Sequence, residues 1–327
     1  MIQIIFVILL ATVGVAYSGE STPITAKQIL QKMVRAMELS DYQGTVIFLK
    51  NDKLEAMKYF HTSSNSKEEE RLVSLNSPMR EIIRNSDEVT CLFKLTQQVI
   101  VDHRPYEHSF IVDVPKNLDE LDASYEFEVV GEEDVAMIPT YVVAIQPKDE
   151  FRYIRKIWVS KGQFLPMKAE VYNISGVVLE QVAFTEIQVK KQATATAPSQ
   201  QPIGVSLSAQ GSDEAKNQTP SQAGFEVTAM PRGFKQIFFA RKPLHKSEQP
   251  VDHLLLSDGF ASVSVYMETK KVDMPSNSDL PEVIHSVGAV NSISRELANS
   301  QLTVLGEVPA TTVKFIAAGI KLRSPAP

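Results

Sequence analysis

The sequence predicts a mainly β, α+β chain in two domains, and three observations carry that reading. About ten short strand-like runs, separated by turn signals, follow one another between residues 41 and 190. One amphipathic helix precedes them. Residues 191–224 break the pattern with small and polar residues, and a second set of strands with a closing helix follows.

The opening helix is marked by Thr25 and Gln28 at capping-box spacing, with Ile29, Leu30, Met33, Val34 and Met37 forming one apolar stripe and Ser40–Asp41 ending it. YQGTVIFLK and LEAMKYFH flank Asn51-Asp52 and read as a hairpin. ERLVSL, REIIRN, EVTCLF and QVIVDH are short runs, and a helical turn is expected around Pro115 to Leu121. YEFEVVG, YVVAIQP, FRYIRKIWVS, FLPMKAEVYN and VVLEQVAFTEIQV complete the first set, with turns at Lys161-Gly162 and Ser175-Gly176. In FRYIRKIWVS the alternation puts Tyr153, Arg155, Ile157 and Val159 on one face and Arg152, Ile154, Lys156 and Trp158 on the other. Apolar residues on both faces suit a curved sheet around a helix, and equally a sandwich. After the polar segment come FKQIFFA, VDHLLLS and ASVSVYME, the last two joined at Ser257-Asp258-Gly259, then GAVNSISREL and QLTVLGEV. PATTVKFIAAGIK closes the chain as a helix, with Pro309 in its first turn and Val313, Ile316, Ala317 and Ile320 on its buried face.

The first residues, MIQIIFVILLATVGVAYSGE, have the layout of a secretory signal: a short apolar core, then small residues, with cleavage expected after Ser18. The run is shorter than the roughly 20 residues of a spanning helix and contains Gln3. The predicted division is therefore a signal over 1–18, a first domain over 19–190, a flexible linker over 191–224 and a second domain over 225–327. The one cysteine, Cys91, excludes an intrachain disulfide and reads as a buried small hydrophobe. The net charge of −6 is uneven: residues 19–190 carry 20 Lys+Arg against 27 Asp+Glu, and residues 191–327 carry 13 against 12. An acidic front half argues against nucleic acid as a partner.

Enzymatic signatures are missing. There is no glycine-rich phosphate loop and no HExxH, CxxC or GxSxG motif. Asp102, His103, Glu107 and His108 cluster locally, but their spacing matches no ligand pattern and reads as a solvated loop. Lys67-Glu68-Glu69-Glu70 reads as the solvated start of a strand, and Asp252-His253 as the polar start of another. No catalytic residue, metal site or cofactor is expected.

Several stretches carry a family resemblance. SDYQGTVIF, ERLVSLNSPMREIIRNSDEVTC and RYIRKIWVSKGQFLPMKAEVYNISGVVLEQVAFTEIQV resemble the first domain of the RseB/MucB regulators of sigma-E factors. LLLSDGFASVSVYME, GAVNSISREL and LTVLGEVPATTVKFIA resemble the second, in the family's order. The resemblance implies an N-terminal open β-barrel-like fold of the LolA lipoprotein-carrier type, plus a smaller α+β domain. It also implies a periplasmic negative regulator without enzymatic activity. Such a protein binds the periplasmic part of a single-pass anti-sigma factor of the RseA/MucA type, shields it from proteolysis and is displaced by lipopolysaccharide or lipoprotein acyl chains. A homo-oligomer is compatible with it. Val46, Phe48, Phe60, Leu92, Val99 and Trp158 are then the candidates to line a lipid cavity, although the residues alone leave a filled core equally open. Tyr266 shares a strand face with Ser262 and Ser264 and is either a lone surface aromatic or an anchor for the partner. Two other classes stay in view, a lipid or lipoprotein carrier with no signalling role and a periplasmic hydrolase.

Overall fold

The computed structural model describes residues 23–64, 67–76, 79–85, 89–93, 98–102, 109–190, 223–243, 250–269 and 283–323. The expected signal over 1–18, most of the expected linker and His103, Glu107 and His108 lie outside these residues.

Helix α1 (Ala26–Leu39) starts as predicted: the Thr25 hydroxyl accepts from the Gln28 amide while the Gln28 side chain accepts from the Thr25 amide. It is followed by β1 (Asp41–Lys50), β2 (Lys53–Ser64), β3 (Lys67–Ser74), β4 (Arg80–Arg84), β5 (Val89–Phe93) and β6 (Gln98–Asp102). A single 3-10 turn at Asp119–Leu121 leads into β7 (Tyr125–Val135), β8 (Ile138–Pro147), β9 (Ile154–Ser160), β10 (Pro166–Tyr172) and β11 (Val178–Lys190). All eleven strands join one antiparallel sheet in the order β6-β5-β4-β3-β2-β1-β11-β10-β9-β8-β7. The β1–β2 turn has Asn51 and Asp52 both at positive φ, the backbone that a two-residue hairpin demands.

Alternation along β1 sorts the sheet into two faces. Tyr42, Val46, Met57, Tyr59, Leu72, Val182 and Phe184 share the concave face and form one core. Ile29, Leu30 and Met33 of α1 are wholly buried against Val143, Ile145, Ile157 and Val159 on the same face. The sheet thus curls around its helix, which resolves the choice left open between sandwich and open barrel.

The second unit has β12 (Phe225–Val227), β13 (Lys235–Pro243), β14 (Pro250–Ser257), β15 (Ser262–Thr269), β16 (Ile284–Val287), β17 (Val290–Leu297), β18 (Ser300–Gly306), α2 (Ala310–Ala318) and β19 (Ile320–Leu322). Six of these strands form a sheet in the order β13-β14-β15-β18-β17-β16, and β12 pairs with β19. Val313, Ile316 and Ala317 of α2 pack on Phe239, Leu254, Val263, Val265, Leu302 and Val304. Two details differ from expectation. Pro309 is the N-cap rather than a residue of the first turn. Ile320 belongs to β19, because the Gly319 amide closes the helix onto the Phe315 and Ile316 carbonyls. Ala223 and Gly224, at the end of the segment read as linker, pack here: Ala223 is buried in this core and the Gly224 amide donates to Asp252 at 2.9 Å.

Candidate functional site: a cavity between the two domains

A cavity of about 570 Å³ lies between the concave face of the large sheet and the free face of the small one. The first domain contributes an apolar patch of Phe48, Ile157, Ala169, Val171 and Val182, bordered by the charged side chains of Lys50, Arg84, Arg155 and Glu180. The second contributes Phe238, His253, Leu255, Ser262, Ser264 and Tyr266. His253 and Tyr266 stack with ring centres 4.3 Å apart, and the His253 ring shares a hydrogen bond of 3.1 Å with the Ser264 hydroxyl. Three cationic residues on the lining are paired within the protein, and the Lys156 ammonium lies 5.0 Å from the Tyr172 ring centre. Arg84 meets Glu70 at 3.1 Å, Lys50 meets Glu180 at 2.7 Å and Arg155 meets Glu307 at 2.7 Å. An apolar patch bordered by paired charges, opposite a polar aromatic wall, suits an amphiphile, and the volume is that of an ordinary small-molecule site.

The seam that forms this cavity is built on Arg152, whose side chain is wholly buried. Its guanidinium donates to Asp258, Asp149 and the Arg232 carbonyl, and lies 5.4 Å from the Tyr125 ring centre and 5.0 Å from that of Phe234. The Tyr125 hydroxyl donates to the same Asp258 oxygen at 2.9 Å, while the other oxygen accepts from the amides of Phe260 and Ala261. Burial acts against the charged guanidinium, but the hydrogen bond and charge of Asp258 outweigh it and the Arg152 pKa is raised. Phe260, next to this turn, enters the first domain's core with its ring 5.3 Å from Tyr125. On the other side, the Gly288 amide donates to Asn51 at 2.6 Å and the Ala289 amide to Glu180 at 2.7 Å. Gly233 and Gly288 both have positive φ at the seam, and a β-carbon would fall 2.8 Å from the Ser124 hydroxyl or 2.3 Å from Glu180 respectively.

The six residues expected to line a lipid cavity do not come together. Val46 and Phe48 are on the concave face, and Phe48 lines the cavity while Val46 is buried in the core beneath. Phe60 pairs with Gln43 and lies on the opposite face, under Arg71. Leu92 pairs with Glu81, also on that opposite face, and Val99 is opposite Leu92 in register, its side chain outside the described residues. Trp158 pairs with Val142 and Lys168 on that face too; Lys168 covers its ring at 4.1 Å and its N–H donates to Glu133. The error is one of parity: both faces carry apolar residues, and a shift of one position exchanges them. Tyr266 does face the cavity, half-buried.

Charged residues that the sequence reading set aside carry structural weight. Glu70, read as solvated, is fully buried and accepts from the Tyr59 and Ser109 hydroxyls, the Arg84 guanidinium and the Phe110 amide. Asp252, read as a polar strand start, is buried and pairs with Arg241. The signal for Glu70 was its parity with Leu72 in the same strand. Nothing local marked Arg152, whose partner lies 106 positions away. Among the described residues no group of His, Cys, Asp and Glu could hold a metal, and no helix is long and apolar enough to cross a membrane.

Fold and site together define a two-domain β binding protein, with a curved open sheet in front, a smaller α+β domain behind and a cavity that neither completes alone. Its first domain matches the MucB/RseB N-terminal domain over residues 25–203, and its second matches the MucB/RseB C-terminal domain over residues 219–321. The chain belongs to the MucB/RseB family. It is 26% identical to the sigma-E factor regulatory protein RseB of Escherichia coli K12, with 98% of each chain covered. It is 25% identical to the sigma factor AlgU regulatory protein MucB of Pseudomonas aeruginosa, with 90% of each covered. Among solved structures, MucB in the Pseudomonas aeruginosa MucA/MucB complex superimposes with a TM-score of 0.71 at 23% identity, over 92% of this chain and 99% of that one. A crystal structure of MucB gives 0.61 at 24%, over 91% and 98%. The relatives are regulatory proteins by name, and the solved neighbours share the fold.

Proposed function

We propose that this chain is an exported negative regulator of a sigma-E-type envelope stress response. It acts in the periplasm by binding the periplasmic part of a single-pass anti-sigma factor of the RseA/MucA type and shielding it from regulated proteolysis. The observation that carries the reading is the match of both domains, in order, to a family whose curated members are sigma-factor regulators. The seam adds a physical reason for two domains: a partner that contacts both is held only while they stay docked.

Release by a lipid signal, lipopolysaccharide or a lipoprotein acyl chain, fits the cavity. Each buried methylene contributes about 0.8 kcal/mol, so one chain binds usefully yet reversibly. The lipid displaces the partner only by binding the partner-free form more tightly. Because Trp158 lies on the wrong face, Phe48→Trp places a fluorophore on the lining instead; its emission shifts when lipid A or a lipopeptide is added. Unchanged emission together with no calorimetric heat refutes an amphiphile in this cavity.

The regulatory reading is tested by protection of the anti-sigma factor's periplasmic segment from its first protease. The whole chain protects, and a chain ending at Lys190, shown to be folded by circular dichroism, does not. Equal protection by the shortened chain refutes a need for the second domain. A carrier with no signalling role needs an apolar first-domain face but has no use for the second-domain wall; recovery of diverse lipoproteins rather than one anti-sigma factor from an envelope pull-down favours it.

A further inference from the structure

The exposed aliphatic side chains of the first domain are concentrated at one end of its sheet. Among the described residues, nine large hydrophobics of this domain are well exposed, and six of them, Leu54, Leu75, Met79, Ile174, Val177 and Val178, belong to the β1–β2, β3–β4 and β10–β11 hairpins. The pairing puts all three turns at the same end: Lys50 is opposite Lys53 and Glu180, Ser74 opposite Met57, and Tyr172 opposite Val178. These turns join six neighbouring strands, so at about 4.8 Å per strand the tips span roughly 24 Å.

Turn tips ordinarily carry Gly, Asn, Asp or Ser. The β10–β11 turn is firmly built and still points aliphatics outward. The Asn173 side chain accepts from the Ser175 and Val177 amides at 3.0 and 2.9 Å, the Asn173 amide donates to Val177, and Gly176 takes φ +79°. Ile174 is 67% exposed and Val177 57%, with both domains in place. The rim is close to neutral: Lys50 is bridged to Glu180, Arg80 to Glu55, and Asp52 adjoins Lys53. Protein interfaces centre on aromatic and arginine anchors seated in pockets. This rim has bare aliphatics on convex tips and no net charge, which complements the interfacial zone of a bilayer, where such side chains enter among the headgroups. The same hairpins line the interdomain cavity with Phe48, Lys50, Val171 and Glu180.

We propose that this rim is a docking edge for a lipid surface, with the tips of the β1–β2 and β10–β11 hairpins and the flanking side chains of Leu75 and Met79 entering the headgroup zone and setting the cavity-lining hairpins against the membrane. The inference does not depend on the anti-sigma factor reading.

The test is flotation of the whole protein with vesicles of phosphatidylcholine, and of phosphatidylcholine with phosphatidylglycerol, at low and high salt. The protein floats with both, with little effect of salt. Leu54→Ser/Ile174→Ser/Val177→Ser lowers the bound fraction by at least about tenfold. Met137→Ser, at the β7–β8 turn on the far end of the sheet and 94% exposed, floats like the parent. All four positions are exposed, so the melting temperatures of both variants stay with the parent's. The proposal is overturned if the parent floats with neither vesicle, if the triple variant floats as well as the parent, or if Met137→Ser loses as much. It is also overturned if the triple variant changes the molecular mass in solution while flotation is unchanged, which assigns the rim to a second copy of the chain.

Discussion

Replacing Arg152 with alanine removes the cation on which the two domains meet. Its guanidinium is wholly buried, and the Asp258 side chain it pairs with is 1% exposed. Removing one member of a buried ion pair costs about 3–5 kcal/mol, because the other charge remains without water or a partner. Asp258 keeps the Tyr125 hydroxyl and the Phe260 and Ala261 amides, which places the cost near the lower end, about 3 kcal/mol. At 1.4 kcal/mol per tenfold, the docked arrangement then weakens by more than about a hundredfold. Asp258→Asn keeps the shape and loses the charge, and the double variant closes a cycle whose coupling should reach about 2 kcal/mol. The assay is urea unfolding of the four proteins, with small-angle scattering of the folded forms to detect separation of the domains. If Arg152→Ala costs under about 0.5 kcal/mol, or the two changes add without coupling and the scattering is unchanged, the seam is not held as described.

Further outcomes follow from the same geometry. Phe260→Ala leaves a void in the first domain's core and costs about 3–5 kcal/mol by the same unfolding assay, although residue 260 belongs to the second domain. Glu70→Ala removes the buried carboxylate that meets Arg84, Tyr59, Ser109 and the Phe110 amide and destabilises by about 3 kcal/mol or more, while Glu70→Gln, which keeps part of the hydrogen bonding, costs clearly less. Burial raises the phenol pKa values of Tyr42, Tyr59 and Tyr125. Their contribution is intact below the ordinary value of about 10 and is lost as pH climbs through the raised folded values, so tyrosinate absorbance rises in one step with loss of circular dichroism; a gradual rise centred near 10 for every tyrosine counts against this. Brief digestion nicks the chain first between Lys191 and Gln222 and gives two resistant pieces on a denaturing gel, and first cuts inside either sheet would move the boundary.

Local chemistry was legible and long-range parity was not. Thr25 with Gln28, Asn51-Asp52 and the Val313–Ala317 stripe announced their elements because each depends on neighbours within a few positions. Phe60, Leu92 and Trp158 look like cavity residues in the sequence because the face they share also buries carbon: Trp158 under Lys168, and Val142, Ala144 and Ala183 on the same face. Hydrophobicity alone cannot say which of two buried faces meets the helix. Arg152 and Asp258 were invisible for another reason: their environment is made by a domain whose position no local pattern encodes. Ser257-Asp258-Gly259 was read as a hairpin turn, and the structure shows a turn that is also the second domain's grip on the first.

The position of Phe260 has a consequence for how the chain acquires its structure. A core ordinarily closes once its own domain has been made, yet this one takes a ring from a residue more than a hundred positions downstream. During synthesis from the N-terminus, the first sheet can curl around α1 while the socket beside Tyr125 is still empty. It stays empty until the second domain's β14–β15 turn has been made and has found it. The first domain's core is therefore completed by a contact distant in sequence rather than by its own last strand. Any lesion that delays the second domain leaves an apolar opening on the first for the same length of time.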